Sequence, residues 1–204
     1  MKSLNLTRLK QAPNLKSYIR YSENFCSLHF CEKLIKESKH RRDNHSVVGG
    51  NVKNTNIRDA CDISFSFEDP LRNELEQYFT EQMLAYVEAY EFTALNTDQL
   101  FPEICIVSYN NQRGYIPHVD ANRPFNEKKQ TRFISIVAYF NDDYTGGDVY
   151  FPNIGVSFKP KQGSCLIFPS DDLFVHGVKP VRGFKLISPC WFHSKVTGIN
   201  PFGF

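Results

Sequence analysis

From about residue 100 onward the chain breaks into short β-forming runs, each closed by a turn signal. No other feature of the sequence restricts the possible folds as tightly. Strands are expected at 104–109, 115–120, 133–140, 148–151, 156–159, 164–168, 174–178 and 185–192. Gly146-Gly147, Pro152-Asn153, the run 160–163 and the run 169–172 punctuate them. Pro cannot donate to a ladder and Gly frees the backbone to turn, so both mark strand ends. Eight strands packed this closely leave no room for crossover helices between them. That excludes an alternating βα architecture and fits a jelly-roll.

The first hundred residues have a different texture. Residues 1–24 are polar with scattered Leu and Tyr, as in an arm or an edge strand. Leu28, Cys31, Leu34 and Ile35 keep helical spacing across 27–39. The basic cluster Lys39, His40, Arg41 and Arg42 then reads as a solvated helix C-terminus, where cations suit the macrodipole. Residues 43–60, rich in Asn, Gly and Asp around Val47-Val48, read as a long loop. A second helix opens on Asp69 as cap and Pro70 at its first position. Leu71, Leu75, Tyr78, Phe79, Tyr86 and Tyr90 hold one of its faces. Helices first and strands afterwards imply an α+β fold: a double-stranded β-helix (jelly-roll) of about eight strands supported by N-terminal helices. One domain is expected over 1–204, with 1–100 mainly helical support and loops and 101–193 the catalytic core.

Composition removes several function classes. A net charge of +2 over 204 residues argues against nucleic acid or an anionic membrane as partner. No apolar run approaches the roughly 20 residues of a membrane helix, and the N-terminus lacks the apolar core of a signal peptide. The 18 Phe and 10 Tyr suit a β-rich core. Six scattered cysteines without a CxxC read as reduced thiols, and hence a cytoplasmic location.

The chemistry begins at His118 and Asp120. At i and i+2 of a strand their side chains share a face, so an imidazole and a carboxylate converge. Chance supplies such a pair often enough that it needs a third partner, and His176, in a late β-type run, is the best candidate. Two His and one carboxylate on one face leave metal positions open, as in non-heme iron(II) oxygenases, though zinc hydrolases also use three protein ligands. His29 and His193 lie beside aromatics and read as structural; His40 and His45 read as solvent-facing. Lys185, nine residues after His176, discriminates further. A fixed cation beside a metal suits a bidentate co-substrate whose far carboxylate needs a charge-assisted partner.

Set in order, these pieces resemble the iron(II)- and 2-oxoglutarate-dependent dioxygenases, most closely their prolyl 4-hydroxylase-like branch. The resemblance runs from about residue 104 to 192. It is carried by Tyr109, Gly114-Tyr115, His118-Val119-Asp120, Arg132, Ala138-Tyr139-Phe140-Asn141, Thr145-Gly146-Gly147-Asp148, Phe151-Pro152, Lys159-Pro160, Gly163, Phe168, His176-Gly177, Pro180-Val181, Gly183, Lys185 and Trp191. It implies that His118, Asp120 and His176 bind iron(II) and that Lys185 pairs with the distal carboxylate of 2-oxoglutarate. Tyr139 would donate to that carboxylate, with Phe133, Ser135, Val137 and Tyr139 on one strand face. Tyr109 would border the co-substrate and Trp191 the metal.

O2 is the other implied co-substrate and ascorbate a further cofactor. The implied reaction is hydroxylation of an unactivated C–H bond, with a prolyl residue of a peptide or protein as first choice. A free amino acid or other small molecule is the alternative substrate. A zinc hydrolase would leave Lys185 and Tyr139 unexplained, and a non-enzymatic jelly-roll would not need the intact triad. Residues 43–60 and 122–130 are expected to cover the site, with Arg58 and Arg123 as candidate substrate contacts. Two details depart from the family pattern: Asp148 stands where Glu is commoner, and Lys185 keeps the offset of hypoxia-sensing enzymes, which usually carry Arg. Oligomeric state is not legible.

Overall fold

The computed structural model describes residues 14–41, 43–45, 53–90, 100–112, 114–121 and 132–194. The expected covering loop 122–130 with Arg123, the Val47-Val48 run, Arg42 and the first 13 residues lie outside them. In chain order the elements are β1 (Arg20–Ser22), α1 (Leu28–Lys39), β2 (Asp43–His45), β3 (Arg58–Asp59), β4 (Cys61–Ile63) and α2 (Pro70–Ala89). Then follow β5 (Leu100–Ile104), β6 (Ile106–Asn110), β7 (Gly114–His118), β8 (Arg132–Tyr139) and β9 (Thr145–Gly146). The last are β10 (Val149–Phe151), β11 (Val156–Phe158), β12 (Ser164–Pro169), β13 (His176–Val178), β14 (Val181–Arg182) and β15 (Phe184–Ser194).

Two sheets face each other. The larger runs β1-β12-β8-β15-β6-β4-β2, with β5 also paired to β15; the smaller runs β11-β10-β13-β7-β3. A two-stranded ribbon joins β14 to β9. Both helices cover the outer face of the larger sheet. Ser27 caps α1 by accepting from the Phe30 N–H at 3.1 Å, and Asp69 caps α2 by accepting from Leu71 at 3.0 Å. Phe30, Leu34, Leu75 and Phe79 bury against Ile136, Ala138 and Leu186. On the alternate face of the same strands, Val107, Tyr109, Tyr139 and Ile187 point inward between the sheets, as a period of two requires. Among the described residues no helix is long and apolar enough to cross a membrane.

Several expectations need correcting. The expected strand 104–109 is two strands, because Pro189 of β15 has no N–H to offer; at that break Cys105 donates its own N–H to the Pro189 carbonyl at 3.0 Å. The expected strand 115–120 ends at His118, leaving Asp120 beyond it. The run 174–178 starts with a 3₁₀ turn, Asp172–Phe174, capped by Asp171. The first hundred residues are more than helices and loops: β1, β2 and β4 extend the larger sheet and β3 edges the smaller one. These strands are two or three residues long and polar, and only distant partners hold them. His29 is exposed on α1, not structural. Arg41 is not simply solvated either. It bonds Asp69 at 2.6 Å and stacks 3.8 Å from the Phe65 ring, tying the end of α1 to the cap of α2.

Candidate active site

Strand pairing brings the two histidines together. β13 runs antiparallel to β7 with His176 opposite His118, and the ring centroids lie 4.4 Å apart. His118 Nδ1 lies 2.9 Å from the Ile116 carbonyl and His176 Nδ1 lies 3.1 Å from that of Phe174. A carbonyl only accepts, so both Nδ1 atoms carry the proton and both Nε2 lone pairs face outward from these anchors. They face Asp120. His118 Nε2 is 3.6 Å from Oδ1 and His176 Nε2 is 3.6 Å from Oδ2. All three donor atoms fall within 4.8 Å of one another, so a single ion could bind all three. Tyr115 stacks on His118 at 3.5 Å, while Phe151 and Phe168 wall in His176.

The electrostatics suit a cation. Burial by itself would raise the Asp120 carboxyl, but the imidazoles of His176 and His118, aided by the Trp191 indole, hold it well below the usual carboxylate range. Burial lowers His176, against the pull of Asp120, which favours the neutral imidazole a metal needs.

The other end of the cavity is built around Lys185. Its side chain is fully buried, and Nζ donates to the Gly147 carbonyl at 2.6 Å. The rings of Tyr144, Tyr139 and Tyr109 lie 5.3, 5.4 and 5.7 Å from the ammonium. Desolvation lowers the lysine to about 7, opposed by the more distant Asp148. Gly147 is required here. Its φ is +69°, and a Cβ would stand 2.9 Å from Tyr144 Cε2 and 3.3 Å from Lys185 Cδ. The Tyr139 and Tyr144 hydroxyls are buried without a hydrogen-bond partner among the described residues. Burial also drives the Tyr139 phenol well above its usual range, so it is a donor awaiting an acceptor.

A cavity of about 480 Å³ joins the two ends, lined by His118, Asp120, His176, Tyr109, Tyr139, Lys185 and Trp191 among others. Trp191 is clamped at the mouth by Arg132, whose guanidinium lies 3.7 Å from its ring. Arg132 is itself bound to both Glu103 oxygens, at 2.8 and 2.9 Å. His193 is the structural histidine expected, 2.6 Å from Glu103 and stacked on Phe101. Arg58 lines the cavity, 3.3 Å from Asp62, with its guanidinium 5.6 Å from the Tyr115 ring. Asp148, the departure from the family pattern, pairs with Lys179 at 2.9 Å. Sequence reading passed over Tyr144, whose only signal is its place just before Thr145-Gly146-Gly147. It also passed over the Arg132–Glu103 pair, which joins distant strands.

The donor set fits a divalent metal, and the unpartnered Tyr139 hydroxyl beside a buried lysine fits a carboxylate reaching in from that metal. Fold and site together place a cluster able to hold one metal ion and a buried lysine at the two ends of one cavity between the sheets. Residues 104–193 match the 2OG-Fe(II) oxygenase superfamily. A protein of Acanthamoeba polyphaga mimivirus, provisionally named a prolyl 4-hydroxylase, is 23% identical over 181 residues, covering 81% of this chain and 69% of its own. The fold is shared with a viral collagen prolyl hydroxylase of Paramecium bursaria Chlorella virus-1, solved as a 2OG complex: TM-score 0.65, 18% identity, 90% of this chain and 99% of that one. It is shared as well with a prolyl hydroxylase of Trichoplax adhaerens, solved with a hypoxia inducible factor peptide fragment: TM-score 0.66, 17% identity, 93% and 87% coverage. Residues 104–193 are thus similar to the 2OG-Fe(II) oxygenase superfamily, and the relatives and neighbours the chain resembles carry prolyl hydroxylase names.

Proposed function

We propose that the chain hydroxylates an unactivated C–H bond of a prolyl residue in a peptide or protein, converting 2-oxoglutarate and O2 to succinate and CO2. In this reading His118, Asp120 and His176 would hold Fe(II) and leave its other positions to the co-substrates. The bound iron supplies the oxidative chemistry, while the protein binds, orients and excludes water. Lys185 forms an ion pair with the distal carboxylate of 2-oxoglutarate and Tyr139 donates to it. Tyr109 walls the same pocket and Trp191 borders the metal at its mouth. The observation that carries the proposal is the buried Lys185 ammonium beside the unpartnered Tyr139 hydroxyl, in the cavity that the triad also lines.

The prolyl assignment rests on the prolyl hydroxylase names of the relatives and on the peptide bound to the Trichoplax neighbour. Residues 1–204 are taken as one such domain. A cytoplasm-like compartment is supported by the free state of the cysteines. The experiment is anaerobic addition of 2-oxoglutarate to the Fe(II)-loaded protein, followed by succinate release across proline-containing peptides and free amino acids, with and without ascorbate. A visible charge-transfer band and peptide-dependent succinate are expected. No band refutes the oxygenase chemistry; a band with succinate driven only by a free amino acid refutes the peptide substrate.

A further inference from the structure

Asp120 stands two residues past the end of β7, where the pleat no longer sets the direction of a side chain. The structure supplies its orientation through two buried serines. Ser135 on β8 is 0% exposed and donates to Asp120 Oδ2 at 2.8 Å. Ser170, just past β12 and 1% exposed, lies 2.7 Å from the Ser135 hydroxyl. A hydroxyl carries one proton and a carboxylate only accepts. Ser135 gives its proton to Asp120, so Ser170 must donate to Ser135, and the relay runs one way. Backbone bonds lock the same corner. Ala121 N–H donates to the Ser170 carbonyl at 2.8 Å, and Ser170 N–H to that of Phe133 at 3.0 Å. The carboxylate, the residue after it and both serines therefore move as one unit.

We propose that Ser135, oriented by Ser170, is a positioning residue that engages Oδ2 of Asp120 and leaves Oδ1 as the single oxygen presented to a divalent metal. The inference rests on the reading of His118, Asp120 and His176 as metal ligands. The two imidazoles and that one oxygen would then hold the ion and leave its other positions to co-substrates. Without the serine, both carboxylate oxygens are free to chelate and one of those positions is lost.

The test is an anaerobic Co(II) titration of the full chain, read by d–d absorption, which reports coordination and needs no turnover. Ser135→Ala is expected to weaken Co(II) binding about 10- to 100-fold and to change the d–d spectrum, as removal of a partner behind a ligand does. Ser170→Ala should shift the spectrum in the same direction by less. Wild-type affinity and spectrum in Ser135→Ala overturn the proposal. Should that variant fail to fold, judged by thermal unfolding without metal, Ser170→Ala decides, and an unchanged affinity and spectrum there overturn the relay. A wild-type chain without a Co(II) spectrum, or a His176→Ala chain that keeps it, refutes the metal centre itself and this inference with it.

Discussion

The two ends of the cavity handle buried charge in opposite ways. At the triad end, a buried carboxylate faces two imidazole Nε2 atoms, and the Asp120 carboxyl lies well below its usual range. At the Lys185 end, a cation is buried against a backbone carbonyl and three tyrosine rings, with no carboxylate among the described residues in hydrogen-bond contact. Desolvation accordingly lowers it to about 7. One end presents an anion and two imidazole lone pairs to a point where a cation would sit. The other presents a cation that a ligand's carboxylate would pair, an arrangement suited to a dicarboxylate over a monocarboxylate.

This contrast can be broken at either end. The largest effect is expected from His176→Ala, which should lower divalent metal affinity by at least about 100-fold in a Co(II) titration, since it removes a ligand outright. The affinity of Lys185→Met for the metal should stay near wild type. Next comes 2-oxoglutarate binding. Calorimetry on Lys185→Met should show a loss of roughly 2–5 kcal/mol, the range for truncating one partner of a buried charged pair. Without co-substrate the same variant should melt no lower than wild type, because it removes a desolvated charge. A lower melting point would mean that the lysine is already satisfied in the empty site.

Tyr139→Phe should cost about 1.5–3 kcal/mol of 2-oxoglutarate affinity, as for a hydrogen bond to a charged group, with metal affinity unchanged. The smallest signal is pH dependence. The folded lysine, lowered to about 7, binds fewer protons than the unfolded one between there and its ordinary value of 10.5. Stability of the co-substrate-free protein should therefore rise with pH across that window, and the rise should be missing in Lys185→Met. Binding of 2-oxoglutarate runs the other way. It needs the charged lysine, so affinity should fall as pH climbs past about 7, with proton uptake visible in buffers of different ionisation enthalpy.

Much of the site was legible along the chain because its parts lie on regular strands. Lys185, Tyr139 and His176 sit where alternation and turn punctuation put them, and Gly147 marks the turn that meets the lysine. Asp120 was legible as a residue but not as geometry. The strand ends at His118, and the carboxylate is aimed by Ser135 and Ser170, which are 15 and 50 residues away in sequence. Ser135 was visible on the Tyr139 face of β8; its partnership with Ser170 was not, since nothing local connects them.

The sequence alone determined the jelly-roll, both helices and the Asp69 cap of the second, and the chemical types able to bind a metal and a carboxylate. Those follow from short-range rules, in which side-chain period and turn residues act on neighbours. Only the tertiary structure decided that β1, β2, β3 and β4 would complete the two sheets, that Pro189 would split one strand into β5 and β6, and that Lys185 would be buried with no carboxylate among the described residues in hydrogen-bond contact. Each of these depends on which distant backbone groups remain to be hydrogen-bonded once the sheets close, and a chain read residue by residue does not carry that constraint.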